Sequence, residues 1–289
     1  MLQAEALAKI NRELRVGPLR SDGYHGVHSL LVSIDLADRI EVEPDPELSL
    51  RCEGTFPVPS GPDNLVWRAA LALARHHGVE PSGRIRLEKR IPTGAGLGGG
   101  SADAAIALRL LASLWKLSPA TEKLLPVAEE LGSDVPFFLY GGEAEVSGRG
   151  ERVTAREDAV ARDLLLVVPP FSIRTADVYA ALDRIGLTGE AARRLEVDES
   201  DAFFGPNDLA LAVQTMEPRM ETYLRSVVTL GPEFAITGSG SAIVVRGVSD
   251  DSGEWLAQRH PEARLIRCRT VGRAEYRRRT SSSGGSRWR

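Results

Sequence analysis

Apolar residues recur along this chain with two different periods, and the switches between them mark out its elements. Ile34 to Val42 carries short apolar stretches and is followed by the turn residues Pro44, Asp45 and Pro46, so the first part reads as β-rich. Leu65, Val66, Ala69, Ala70 and Leu73 fall at helical spacing behind a capping pair, Asp63 and Asn64, and Gly78 stops the helix. Ile85 to Ile91 alternates apolar and charged residues, which predicts a half-exposed strand. Pro92 to Ser101 is a glycine-dense loop. Ser101 is a favoured N-cap residue, and Ala102 to Leu117 sets Ile106, Leu110, Leu114 and Leu117 on one side of a helix. Another helix runs to about Leu131 and stops at Gly132, which leaves Asp134 just ahead of the apolar run Val135 to Leu139.

A second part begins near Arg162. It reads as a strand at Leu164 to Val168, a helix at Thr175 to Ile185, and a polar loop or short helix from Gly186 to Gly205. A helix at Leu209 to Leu224 follows, then a strand–glycine turn–strand over Phe234 to Val245. A helical piece at Trp255 to Arg259 and a last strand at Ala263 to Val271 complete it. No internal repeat is present. Strands and helices mix without strict βαβ alternation, which points to an α+β fold.

Charge and cysteine content narrow the function classes. The 289 residues carry a net charge of -4, which gives nucleic acid no bulk attraction. The exception is the end of the chain, where Arg277, Arg278, Arg279, Arg287 and Arg289 stand among Ser and Gly and read as a basic disordered tail. Cys52 and Cys268 have neither metal-site nor disulfide-framework spacing, so the expected setting is reduced and cytoplasmic. The first residues contain Glu5 and Lys9 and no long apolar run, and no stretch reaches membrane-spanning length. His28, His76, His77 and His260 lack metal-site spacing, and no protein metal ligand is expected. The expected partners are therefore small molecules rather than nucleic acid or membrane, with the chain a monomer or weak homodimer.

The candidate chemistry sits in the glycine loop. Strand, glycine loop and helix N-terminus together bring backbone N–H groups and a positive dipole end to a phosphate. Gly94-x-Gly96-x-x-Gly99 matches a dinucleotide fingerprint in form, but no βαβ unit ending in a ribose-binding acid accompanies it. A Walker loop needs Gly-Lys-Ser/Thr, and Gly100-Ser101 has no lysine before it; the protein-kinase motifs are absent as well. From the residues alone, Asp134 is either a turn aspartate or a partly desolvated base, and Lys9 is either an edge-strand lysine or a site residue.

Pro92-x-Gly94-Ala95-Gly96-Leu97-Gly98-Gly99-Gly100-Ser101 resembles the phosphate loop of the GHMP kinases, the galactokinase–homoserine kinase–mevalonate kinase superfamily. Gly238-Ser239-Gly240-Ser241 resembles that superfamily's C-terminal glycine motif. Four motifs stand in order: Ala8-Lys9-Ile10-Asn11, Asp22-Gly23-Tyr24-His25, the glycine loop, and Leu131-Gly132-Ser133-Asp134-Val135-Pro136-Phe137-Phe138. With Asn207-Asp208-Leu209, they resemble the branch that phosphorylates a hydroxyl of a cytidine-diphosphate-linked sugar alcohol on the non-mevalonate route to isoprenoids. The resemblance runs from about Ala8 to Val245. Ala102 departs from it where a second serine is usual, Arg12 where leucine is usual, and Ser133 where alanine is common.

The resemblance implies two lobes, residues 1–160 and 161–277, with the active site in the cleft between them and the tail at 278–289. It implies ATP as co-substrate, accompanied by Mg²⁺. Lys9 and Asp134 would be catalytic, with Asp134 the base for the acceptor hydroxyl. Pro92, Thr93, Gly94, Ala95, Gly96, Leu97, Gly98, Gly99, Gly100, Ser101 and Ala102 would hold the ATP phosphates, with Asp63 and Asn64 near the nucleotide. Asn11, Tyr24, His25, Thr175 and Tyr179 would bind the acceptor, the two tyrosines sandwiching its cytosine. The rival expectations are another GHMP small-molecule kinase, or a non-catalytic nucleotide sensor that keeps the fold.

Overall fold

The computed structural model describes residues 1–186, 202–230 and 233–282. Two long antiparallel strands, β1 (Leu2–Leu19) and β2 (His25–Glu43), form its backbone and pair along most of their length. β3 (Leu48–Gly54) and β4 (Gly83–Lys89) extend the sheet on one side of β2, with α1 (Leu65–His77) between them. Asn64 caps α1 with its side-chain oxygen, which accepts from the Val66 amide at 2.9 Å, and Gly78 ends it in the left-handed region. The glycine loop leads from β4 into α2 (Gly99–Leu114). α3 (Thr121–Leu131) and the short α4 (Val135–Tyr140) then pack beside it. β5 (Glu143–Ser147) returns to β2, and β6 (Arg152–Ala155) pairs with β5.

The second half contributes β7 (Asp163–Val168), α5 (Thr175–Ile185), α6 (Ala210–Met216), α7 (Met220–Val228), β8 (Phe234–Ile236), β9 (Ile243–Arg246), α8 (Asp250–Arg259) and β10 (Arg264–Val271). β10 joins the halves: it pairs with β7 along its length and with β2 at Thr270 and Val271. One core lies between α1–α4 and the first sheet, a second between α5–α8 and β7–β9, and a third joins Ile10 and Ile34 to Leu97, Leu166 and Val244. Leu14 and Val16 of β1 belong to the second core, and Ile10 to the third, so the first strand serves more than one core.

The sequence reading needs four corrections. β1 is a defined strand over Leu2–Leu19, buried at Lys9, where the reading set no strand bounds and offered Lys9 as an edge-strand lysine. Ser101 is not an N-cap, because α2 begins at Gly99 behind Gly98, whose φ is 70°. The single helix expected over Leu209 to Leu224 is α6 and α7, broken at Pro218. The basic end does not begin as a tail: residues 273–280 form α9 (Arg273–Thr280), with Tyr276 and Thr280 buried and Arg279 paired to Glu5 at 2.5 Å. Residues 283–289 and most of the expected loop, 187–201, lie outside the described residues. Among the described residues no helix is long and apolar enough to cross a membrane.

Candidate active site

Lys9 sits mid-way along β1, where the strand is buried on both faces, and is 3 % exposed. Its ammonium donates to Asn11 Oδ1 at 2.5 Å and lies 3.8 Å from Asp134 Oδ2. Burial lowers the Lys9 pKa below its ordinary range, and the Asp134 charge opposes that shift. Asp134 closes the turn ahead of α4, but its side chain makes no capping hydrogen bond and is 41 % exposed. This carboxylate is therefore only partly withdrawn from water, and the deeply buried partner is the lysine.

Asn11 is fixed from three sides. Its amide nitrogen donates to Ser29 Oγ at 2.8 Å, its backbone N–H donates to Thr237 Oγ1 at 2.9 Å, and its carbonyl oxygen accepts from Lys9. Thr237 precedes the Gly238-Ser239-Gly240-Ser241 turn between β8 and β9. A Cβ on Gly238 would stand 3.3 Å from Lys9 Nζ. Ser239 Oγ bonds Thr175 Oγ1 at 2.8 Å, which ties the first turn of α5 to the same turn.

The glycine loop closes the other side. Gly96 has φ +77°, and a Cβ there would lie 2.1 Å from the Thr237 carbonyl oxygen, so the two glycine turns touch backbone to backbone. A Cβ on Gly98 would meet the Phe138 ring at 2.8 Å and the Lys9 stem at 3.0 Å. The Lys9 amide donates to the Leu97 carbonyl at 3.0 Å, and the Ala242 amide to the Ala95 carbonyl at 3.2 Å. Much of the loop's glycine content thus serves close packing, of Gly96 against the second glycine turn and of Gly98 against α4 and β1. Gly100 differs: nothing stands within 4 Å of a Cβ placed there.

One cavity of about 910 Å³ connects these groups. Lys9, Asn11, Asp134, Thr175 and the loop from Pro92 to Ser101 line it, together with Tyr24, His25 and Tyr179. Ala102 does not line it. Ala102 is fully buried, and its amide donates to the Gly98 carbonyl at 2.9 Å, which removes it from the expected phosphate contacts. Asp63 and Asn64 are also off the lining, and the Asn64 side chain is spent on Val66 and on the Pro59 carbonyl at 2.7 Å. His25 Nδ1 donates to the Gly17 carbonyl at 2.9 Å. The His25 ring stacks on Tyr179 at 5.4 Å, and Nε2 lies 3.2 Å from Asp183 Oδ1 of α5 without a hydrogen-bond partner. Burial pushes the Tyr179 hydroxyl up to about 12. Tyr24 is exposed at the rim, beneath the Arg149 guanidinium at 5.4 Å.

Three charged lining residues escaped the sequence reading as site residues. Arg149 comes from the β5–β6 turn and donates to the Glu129 carbonyl at 2.8 Å. Asp183 stands on the α5 turn above His25. Lys89, at the end of β4, is buried with two carboxylates. None belongs to a motif. Arg149 had a signal as a lone cation between two glycines, and Lys89 as a cation in phase with Ile85 and Leu87 of β4.

The GHMP kinase N-terminal domain family matches residues 64–142, which hold α1, β4, the loop and α2–α4. A 4-diphosphocytidyl-2-C-methyl-D-erythritol kinase of Anaeromyxobacter dehalogenans (strain 2CP-1 / ATCC BAA-258) is 42% identical over 256 residues, 86% of this chain and 80% of the relative. The chain belongs to the 4-diphosphocytidyl-2-C-methyl-D-erythritol kinase family. A solved structure of a 4-(cytidine 5'-diphospho)-2C-methyl-D-erythritol kinase shares 32% identity with a TM-score of 0.73, covering 93% of this chain and 99% of that one. Mevalonate kinase, at 13% identity, a TM-score of 0.67 and 94% and 100% coverage, shares the fold. As a member of this kinase family, the chain is an ATP-dependent phosphotransferase.

Proposed function

We propose that the chain transfers the γ-phosphoryl group of ATP to the 2-hydroxyl of 4-diphosphocytidyl-2-C-methyl-D-erythritol. The observation that carries the reading is the Lys9–Asp134 pair, 3.8 Å apart, in one cavity that the glycine loop and Tyr24, His25 and Tyr179 also line. Phosphoryl transfer asks the protein for positioning and charge stabilisation. Asp134 is open enough to reach an acceptor hydroxyl and takes its proton as the oxygen attacks. Lys9, held by Asn11, stabilises the negative charge that develops there. The loop and the N-terminus of α2 hold the triphosphate, with Gly100 giving the closest open approach.

Magnesium arriving with ATP supplies further charge neutralisation. Ser101 would offer it a hydroxyl, which fits an ion that keeps most of its coordination to phosphate and water. At the acceptor end, Tyr179 and Tyr24 present ring faces to the cytosine, and Arg149 brings positive charge beside Tyr24 for the diphosphate.

The test is turnover in purified Asp134→Asn and Lys9→Ala. Asp134→Asn keeps shape and hydrogen bonding but cannot take the proton, so kcat falls by about 10²–10⁴-fold. Lys9→Ala also loses turnover, with the KM for ATP little changed. Near-normal turnover in folded Asp134→Asn refutes the assignment.

A further inference from the structure

Behind the glycine loop lies a buried ionic cluster that the reaction scheme leaves unused. The Lys89 ammonium donates to Asp38 of β2 and, at 2.7 Å, to Asp103 in the first turns of α2; the three side chains are 2 %, 0 % and 3 % exposed. The other oxygen of Asp38 accepts the backbone N–H groups of Arg90 at 2.5 Å and Ile91 at 2.8 Å, the residues that lead into Pro92. At the far end of the loop, a Cβ on Gly99 would stand 3.3 Å from Lys89 Nζ. One cluster therefore grips the chain where the loop begins and where it ends.

We propose that Lys89, Asp38 and Asp103 act as a staple that fixes both ends of the glycine loop, making them positioning residues for ATP. The inference rests on the reading that this loop holds the triphosphate. Stability alone does not explain the cluster. Withdrawing three charges from water is costly, and an apolar replacement of similar shape is often as stable or more so. The cluster is also unbalanced, with two carboxylates on one ammonium and Asp103 Oδ1 without a partner. Burial raises Asp103 well above the usual carboxylate range. What the charges supply is direction: hydrogen bonds from three elements at fixed angles, which apolar contacts do not impose.

The experiment compares wild type, Asp103→Asn and the charge-free variant Lys89→Met/Asp38→Asn/Asp103→Leu, which keeps an acceptor for the Arg90 and Ile91 amides. It measures melting temperature, kcat, and KM for ATP and for the acceptor. The staple predicts that the KM for ATP rises about tenfold or more in the charge-free variant and severalfold in Asp103→Asn, while the acceptor KM stays within about twofold. It also predicts that the charge-free variant melts near the wild-type temperature. A wild-type KM for ATP in the folded charge-free variant, or equal rises in both KM values, overturns the proposal. Should the charge-free variant fail to fold, Asp103→Asn decides alone by the same split. If Gly100→Ala, which adds a methyl to the loop's open face, leaves the KM for ATP unchanged, the loop assignment fails, and the staple with it.

Discussion

The Tyr276 hydroxyl donates a 2.6 Å hydrogen bond to the carbonyl of Phe138. The bond joins the last described helix of the chain to α4, the helix that follows Asp134 and turns the Phe138 ring onto Gly98. Tyr276 is 1 % exposed, and Gly141 leaves the space its ring fills: a Cβ there would stand 2.0 Å from Tyr276 Cδ1. Tyr276→Phe keeps the ring but leaves a buried carbonyl without its donor, and should cost about 1–3 kcal/mol. Tyr276→Ala should cost about 3–5 kcal/mol, as for other buried aromatics. Chemical denaturation of both variants measures this. Wild-type stability in Tyr276→Ala would mean that α9 does not dock.

Lys9 gives a pH prediction. Burial lowers its pKa below the ordinary lysine value of 10.5, so the ammonium deprotonates earlier than a surface lysine does. The proton is needed for activity, so kcat/KM should fall on the alkaline side at a pH below 10.5. The stability effect has the opposite sign. Between the folded pKa and 10.5 the unfolded chain binds more protons at this group, so its contribution to stability rises with pH through that window. A pH profile of kcat/KM, paired with melting at each pH, checks both. An alkaline limb at the ordinary lysine value would place the required proton elsewhere.

The glycines of the loop should separate into two kinds. Gly96→Ala forces a methyl against the Thr237 carbonyl at positive φ, so it should lower the melting temperature and remove activity together. Gly100→Ala meets no protein atom within 4 Å and gains about 1 kcal/mol of helix propensity. It should melt no lower than wild type and raise the KM for ATP about tenfold, because the added methyl stands where phosphate approaches.

At the acceptor end, Tyr179→Ala should raise the KM for the cytidine-linked acceptor about tenfold to a hundredfold, on the scale of base–aromatic stacking, and leave that for ATP unchanged. Tyr179→Phe should be mild, because the ring face against His25 is kept. Normal acceptor KM in Tyr179→Ala would assign this ring to the second core alone.

How much of this could be read from the sequence follows from how local each signal is. The α1 cap, the glycine loop and the turn before Asp134 are written in neighbouring residues, and they were legible. β1 was not, because it is buried on both faces through Lys9 and Ile10 and its partner strand lies beyond a turn. Lys89 falls in phase with Ile85, Leu87 and Ile91 of an alternating strand, so its inward direction is written in the sequence but its partners are not. Only the fold brings Asp38 and Asp103 to it. Tyr276 is a single aromatic among arginines, with no periodicity to announce a buried face. Asp134 was found by motif, but its exposure and the burial of Lys9 depend on packing that no spacing encodes.

The central claim is the identity of the acceptor, and a panel assay with ³¹P NMR of the products tests it most directly. ATP is offered with 4-diphosphocytidyl-2-C-methyl-D-erythritol, with the same sugar phosphate lacking the cytidine, with mevalonate and with homoserine. The account predicts ADP release and a new phosphate monoester at the 2-hydroxyl with the cytidine-linked acceptor alone. Transfer to mevalonate or homoserine, or no transfer to the cytidine-linked acceptor by the folded protein, would contradict it.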